Sequence, residues 1–343
     1  MYLTELATLE EQKIWDQIIA KCSYSEALHT YEWHNALKGS FSQMKSLYLL
    51  VKDDNGNMVS AMPCFIFQPI PFIRSLSSMP WTLPGGVLIF SEVDKKAIIE
   101  SVSQKINEIA KKNHFTDITI TFPAGYDEEI IDGFISNGFS DNEKRFTHIL
   151  ELGEGYESVW NSYNKRVRGA VRKAEKSGVI IRETEDESDM MAFYKMYLGM
   201  MRHFNSTPKP YSLLRYLQIS PIARLVVAEL NKRMIGGLLF LHFNRNVRLW
   251  CETSDPDFLS HRPNNAVINY IIKWSCDHGY NVVDFGASPI GNDGLIAFKE
   301  EWGAKMLWFN TLYKAYSQWR RKLWAVAEPS IRRVYAEIQR FRL

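Results

Sequence analysis

Apolar runs and polar breaks follow the same order twice along this chain. Leu47 to Lys52 and Met58 to Phe67 flank Asp53-Asp54-Asn55-Gly56-Asn57, a turn-rich spacer, and this predicts a β-hairpin. In the second half, Arg224 to Leu230, Met234 to Phe243 and Val247 to Glu252 are β-like runs joined by Asn231-Lys232-Arg233 and Asn244-Arg245-Asn246, which predicts an antiparallel meander. A helix follows each time. Ile98, Val102, Ile106 and Ile109 mark one buried stripe, and Val267, Tyr270, Ile271, Trp274 and His278 mark the other, opened by Pro263 and Asn264.

Beyond those helices, Asn113-His114-Phe115 leads into a strand over 116–121, and His278-Gly279-Tyr280 into one over 281–285, at an offset of 165 residues. The same offset carries Asn137-Gly138-Phe139 to Trp302-Gly303-Ala304, each a glycine turn before a strand, at 145–152 and 306–314. Strands alternating with helices beside hairpins predict a mixed, mostly antiparallel α/β class in two tandem domains, 1–152 and 153–315, with Gly153 and Gly155 at the boundary.

Composition supports two cores: 343 residues, 46% hydrophobic and 23% charged, exceed what one core organises. A net charge of +2 excludes wholesale coating of nucleic acid and leaves local basic patches to be found by position. Cys22, Cys64, Cys251 and Cys276 form no C-x-x-C pair, against a zinc site or disulfide scaffold. The start reads as no signal peptide and no run reaches the roughly 20 apolar residues of a span, so a cytoplasmic protein is expected. H-E-x-x-H, G-x-S-x-G and Walker sequences are absent, leaving metalloprotease, serine hydrolase and nucleoside triphosphatase readings unsupported.

Several residues carry candidate chemistry. Leu295, Lys299 and Trp302 fall at i, i+4 and i+7, so Lys299 lies in or beside an apolar stripe, where its stem either covers Leu295 and Trp302 or its ammonium serves a site. Asp284 closes a predicted strand, placed to orient or deprotonate an amine or to cap the turn at Gly286. Lys165, Arg168, Arg172 and Lys176 share one helix face, suited to phosphates or to solvent. Arg262 and Asn264 precede a helix whose free amides favour an anion. Tyr211 and Tyr216 flank a proline loop, able to line a groove or fill a core.

Four segments resemble the FemAB-like family, which includes peptidoglycan-bridge aminoacyltransferases with paired GNAT-like (acetyltransferase-type) domains. They are Trp160 to Gly178, Phe193 to Tyr216 with its prolines, Asp255 to Gly286, and Gly294-Leu295-Ile296-Ala297-Phe298-Lys299-Glu300-Glu301-Trp302-Gly303-Ala304. The last matches the family's G-x-x-x-F-K-x-x-[WF]-G-A segment almost residue for residue. The resemblance covers about 156–315, and the first domain by architecture only.

It implies two GNAT-like domains, with 316–343 packing back on the first. It also links Lys299 to the transfer step, with Phe298 beside it at the substrate. The implied reaction carries an aminoacyl group from charged tRNA, or an acyl group, to an amine of a nucleotide- or lipid-linked cell-envelope precursor, with no bound cofactor and no metal. An acyl-coenzyme A-dependent N-acyltransferase is the alternative donor class, although Cys251 to Asn265 lacks the glycine turn that cradles the coenzyme's pyrophosphate. A non-catalytic paired fold that binds a glycolipid or protein is the alternative of another kind. In the tail, Ile331, Val334, Tyr335, Ile338 and Phe341 lie at helical spacing, Pro329 is expected to separate two helices, and Arg320, Arg321 and Lys322 suit an anionic membrane surface.

Overall fold

The computed structural model describes residues 2–90 and 93–341; Met1, Ser91, Glu92, Arg342 and Leu343 lie outside the described residues, as do the side chains of Asn142, Arg340 and Phe341. The chain divides into two units, Met1–Phe146 with Leu307–Ser330, and Thr147–Met306 with Ile331–Leu343.

Unit 1 opens with β1 (Leu3–Leu6) and three helices, α1 (Leu9–Lys13), α2 (Trp15–Ile19) and α3 (Tyr31–Ser40). Then come β2 (Met44–Lys52), β3 (Met58–Ile70), β4 (Ile73–Ser77), β5 (Leu88–Ile89), α4 (Lys95–Lys112), β6 (Asp117–Thr121) and α5 (Glu128–Ser136). The predicted hairpin is β2–β3, antiparallel from Met44↔Phe67 to Lys52↔Met58. Helix α4 starts where the Asp94 side chain accepts from the Ala97 amide, and it buries Ile98, Val102, Ile106 and Ile109 as its period requires. Each such isoleucine contributes roughly 1.5–3 kcal/mol over an exposed one.

Strand β7 (Ser140–Glu151) crosses from unit 1 into unit 2. Unit 2 continues with α6 (Tyr156–Ser162), α7 (Lys165–Lys176), β8 (Ile180–Thr184), α8 (Glu187–His203), α9 (Tyr211–Gln218), β9 (Ala223–Leu230), β10 (Arg233–Phe243) and β11 (Asn246–Ser254). It ends with α10 (Pro263–Asp277), β12 (Val282–Ala287) and α11 (Asp293–Glu300). Strand β13 (Lys305–Ala315) and α12 (Gln318–Phe341) complete the chain. The predicted meander is β9–β10–β11, antiparallel throughout. Helix α10 buries Val267, Ile271 and Trp274 of the expected stripe, while His278 ends it as an exposed C-cap.

Strand order is β1-β2-β3-β4-β6-β13 in unit 1, with β5 on β3, and β7-β12-β11-β10-β9-β8 in unit 2. The mixed, mostly antiparallel class is therefore observed, and among the described residues β4–β6 in unit 1 and β11–β12 in unit 2 pair in parallel. The repeat is close. Lys112 and Asp277 end the equivalent helices, and Asp117 and Val282, Glu128 and Asp293, Ser140 and Lys305 begin the next three elements, each 165 residues apart.

One feature of the pairing differs from the order read along the chain. The strand after α5 completes the sheet of unit 2, through Val283↔Leu150 and Asp284↔Ile149, and the strand after α11 completes that of unit 1, through Leu312↔Ile120. Alternation marks a segment as a strand and does not choose its partner. The expected break at Pro329 is also corrected: α12 runs through it as one helix, because a proline removes one amide bond and a helix held elsewhere along its length tolerates that loss.

Candidate active site

The site forms where the parallel ladder of unit 2 ends. Strands β11 and β12 pair at Asn246↔Val282, Val247↔Val283 and Arg248↔Asp284 and no further. Beyond that point β11 follows β10, with a register shift between Leu239 and Phe240, while β12 follows β7, with a shift between Asp284 and Ala287. Such shifts bend strands and re-aim side chains. The carbonyls of Gly286 and Ala287 are taken by a side chain: Lys299 Nζ, from α11, donates to Gly286 O at 2.6 Å and to Ala287 O at 3.4 Å. Gly286 holds φ at +75°, a conformation costly for any residue with a Cβ.

Lys299 is only 5% exposed, and its pKa falls to about 8, burial being the main cause and the charges of Asp284 and Glu252 opposing it. The folded value lies below the unfolded one near 10.5, so a penalty of about 3 kcal/mol is full below pH 8 and disappears as pH rises toward that value. Glu252 on β11 is the counterpart: burial lifts its carboxyl to about 7 against the pull of Lys299. Its Oε1 is enclosed and has no hydrogen-bond partner. A proton acceptor and a cation thus both titrate near neutrality in one place.

Asp284 is held on three sides. Its Oδ2 pairs with Arg248 Nη2 at 2.7 Å, its Oδ1 accepts from the Gly286 amide at 2.7 Å, and the Thr147 hydroxyl donates to Oδ1. The Gly286 contact is a turn cap of the kind the sequence allowed. His148, fully buried, is an electrostatic neighbour of Lys299, with its pKa lowered first by burial and then by that charge.

The rest of the F-K-x-x-W-G-A segment supports this arrangement. Trp302 is fully buried with its ring 5.1 Å from Tyr163, and Phe298 is half-buried at 6.3 Å from Trp302. Gly303, at φ +81°, lies so close to Ser162 that a Cβ would stand 2.9 Å from its hydroxyl oxygen.

The structure brings Lys299 and Asp284 together through Gly286 and places other candidates in other contacts. Arg168 donates to the carbonyls of Asn161 at 2.9 Å and Tyr163 at 2.7 Å, closing the end of α6, and Arg172 lies 5.7 Å over the Trp160 ring. Lys165 is exposed at the start of α7. Tyr211 packs edge-on to Tyr194 at 5.3 Å and donates to Glu187 at 3.4 Å; Tyr216 is half-buried on α9. Arg262 is an exposed, left-handed N-cap of α10 at φ 62°, and Asn264 behind it keeps an enclosed Oδ1 with no partner.

Arg248, Glu252, Thr147 and His148 were not expected from the sequence. Arg248 and Glu252, the charged residues of β11, were the available signal.

Residues 161–300, from α6 to the end of α11, match the acetyltransferase (GNAT) domain family. The match lies within unit 2 and supports an acyltransferase. The GNAT fold extends over both units in solved structures. FemX, at 15% identity, superposes with a TM-score of 0.74 over 95% of this chain and 99% of its own. A tandem GNAT protein from the clavulanic acid biosynthesis pathway, at 12% identity, gives 0.57 over 92% and 98%. L-PGS from Bacillus licheniformis, at 9%, gives 0.60 over 94% and 97%. FemX thus shares the fold that the FemAB-like resemblance implied. No curated protein matches the chain in sequence. Among the described residues, no group of side chains could hold a metal ion, and no helix is long and apolar enough to cross a membrane.

Proposed function

We propose that unit 2 moves an aminoacyl group from charged tRNA to an amine of a nucleotide- or lipid-linked cell-envelope precursor, forming an amide. The observation that carries this reading is the electrostatic coupling of two buried groups past the end of the β11–β12 ladder: Glu252, with its unpartnered oxygen, and Lys299. The amine nitrogen attacks the ester carbonyl, a C–N bond forms, and the C–O bond to the ribose breaks. Glu252 takes the proton the amine loses, and the ribose oxygen leaves with a proton in its turn. Lys299 faces the oxygen that becomes negative, stabilising it more in the transition state than in the neutral ester. Asp284, engaged by Arg248, Thr147 and Gly286, positions the turn whose carbonyls hold Lys299.

The tRNA donor is favoured over acyl-coenzyme A by the segment after β11. Pro256 and Pro263 lack amide donors, and Asp255 Oδ1 already accepts from the Asp257 amide at 3.1 Å. Two carboxylates and two prolines make a poor pyrophosphate cradle.

The test incubates the protein with an amine acceptor and either charged tRNA or acetyl-coenzyme A, following donor loss and product mass. Consumption of the charged tRNA is expected, with acetyl-coenzyme A binding no tighter than about millimolar. Micromolar coenzyme binding by calorimetry, with acyl-coenzyme A consumed instead, would move the assignment to the alternative donor.

A further inference from the structure

The first part of α12, to Ser330, belongs to unit 1 and carries features that acyl transfer does not use. Trp319, Leu323 and Val326 fall at i, i+4 and i+7 and are 62%, 47% and 78% exposed. The helix is fixed to unit 1 by other residues. Trp324 meets the Phe67 ring on β3 at 6.3 Å, Arg320 donates to His114 O at 2.9 Å, and the Arg321 guanidinium lies 4.0 Å over Tyr313. The apolar stripe is therefore not a face awaiting the core. The body is already gripped, and the stripe stays outside.

Charge selects what would cover it. From Gln318 to Ala327 the helix carries Arg320, Arg321 and Lys322 and no acidic residue. Lys322, exposed, is three residues after Trp319 and four before Val326, so it borders the stripe. The Phe67–Trp324 contact also sets the helix beside the β3–β4 hairpin, whose tip carries Phe72 at 68% exposure. A cavity of about 320 Å³ under that tip is lined by Lys45, Ile70 and Arg74 among others. Exposed Trp, Leu, Val and Phe side chains bordered by cations suit the boundary between acyl chains and anionic headgroups.

We infer that unit 1 docks on an anionic membrane surface through the Trp319–Leu323–Val326 stripe and the hairpin tip at Phe72. The contact is peripheral and reversible, and a lipid-linked acceptor would be met there.

Co-sedimentation separates this from the acyl-transfer reading, because it needs no turnover. Vesicles of phosphatidylcholine with phosphatidylglycerol should retain the protein about tenfold better than phosphatidylcholine alone, and raised salt should reverse this. Val326→Asp should cut retention about tenfold and Lys322→Glu about fivefold, with thermal midpoint and transfer to a soluble acceptor unchanged. Should Val326→Asp lower the midpoint, Trp319→Ser carries the same test. Equal retention on neutral vesicles, none at low salt, full retention by the stripe variants, or a concentration-dependent dimer abolished by Val326→Asp would each overturn the inference.

Discussion

Helices α5 and α11 begin 165 residues apart, and at matching positions one carries Phe134 and the other Lys299. Phe134 is fully buried, with the rings of Phe122 at 5.7 Å and Phe139 at 5.4 Å. The parallel ladders differ in the same way: Ser77 pairs with Thr119 in unit 1, where Arg248 pairs with Asp284 in unit 2. One fold thus closes its ladder end with neutral and aromatic side chains and, in its second copy, with buried charges. Buried ion pairs add little net stability over well-packed apolar groups. Unit 1 shows that this fold does not need them, so their presence in unit 2 points to chemistry.

That contrast predicts opposite consequences for mutation. Glu252→Gln should lower turnover by about 10²–10⁴ with little change in stability, the range expected for a lost general base. The wild-type rate should rise as Glu252 loses its proton near pH 7 and fall as Lys299 loses its own near 8, both limbs belonging to the coupled pair. A pH–rate profile of the glutamine variant should lack the acid limb. If the limb persists unchanged, the base is another group.

Phe134→Ala in unit 1 should act on stability alone, costing about 3–5 kcal/mol through the cavity it leaves. Chemical denaturation measures this. A cost below about 1 kcal/mol, or a loss of activity in the folded variant matching that of Glu252→Gln, would erase the division of labour between the units.

The sequence makes parts of this legible and hides others for physical reasons. Helix stripes such as Ile98-Val102-Ile106-Ile109 repeat within a few residues, and the 165-residue offset places whole elements. Lys299 was visible because its own helix betrays it, a cation at the spacing of Leu295 and Trp302. Glu252 was not, since its raised pKa comes from burial that no local pattern reports, with Lys299, far along the chain, pulling the other way. The exchange of β7 and β13 was hidden because alternation is blind to partner choice. Arg168's contacts were hidden as well, since helical position groups it with Lys165 and Arg172 while its guanidinium reaches back to the carbonyls at the end of α6.

The most direct measurement is single-turnover aminoacyl transfer by Lys299→Met, which fills the same space without the charge, read together with its thermal midpoint. Loss of one oxyanion-stabilising cation predicts a rate lower by about 10² or more, with a midpoint equal to or above that of the wild type because the buried ammonium is gone. A variant that transfers at the wild-type rate with an unchanged midpoint would reduce Lys299 to a side chain that fills the end of a ladder, as Phe134 does in unit 1.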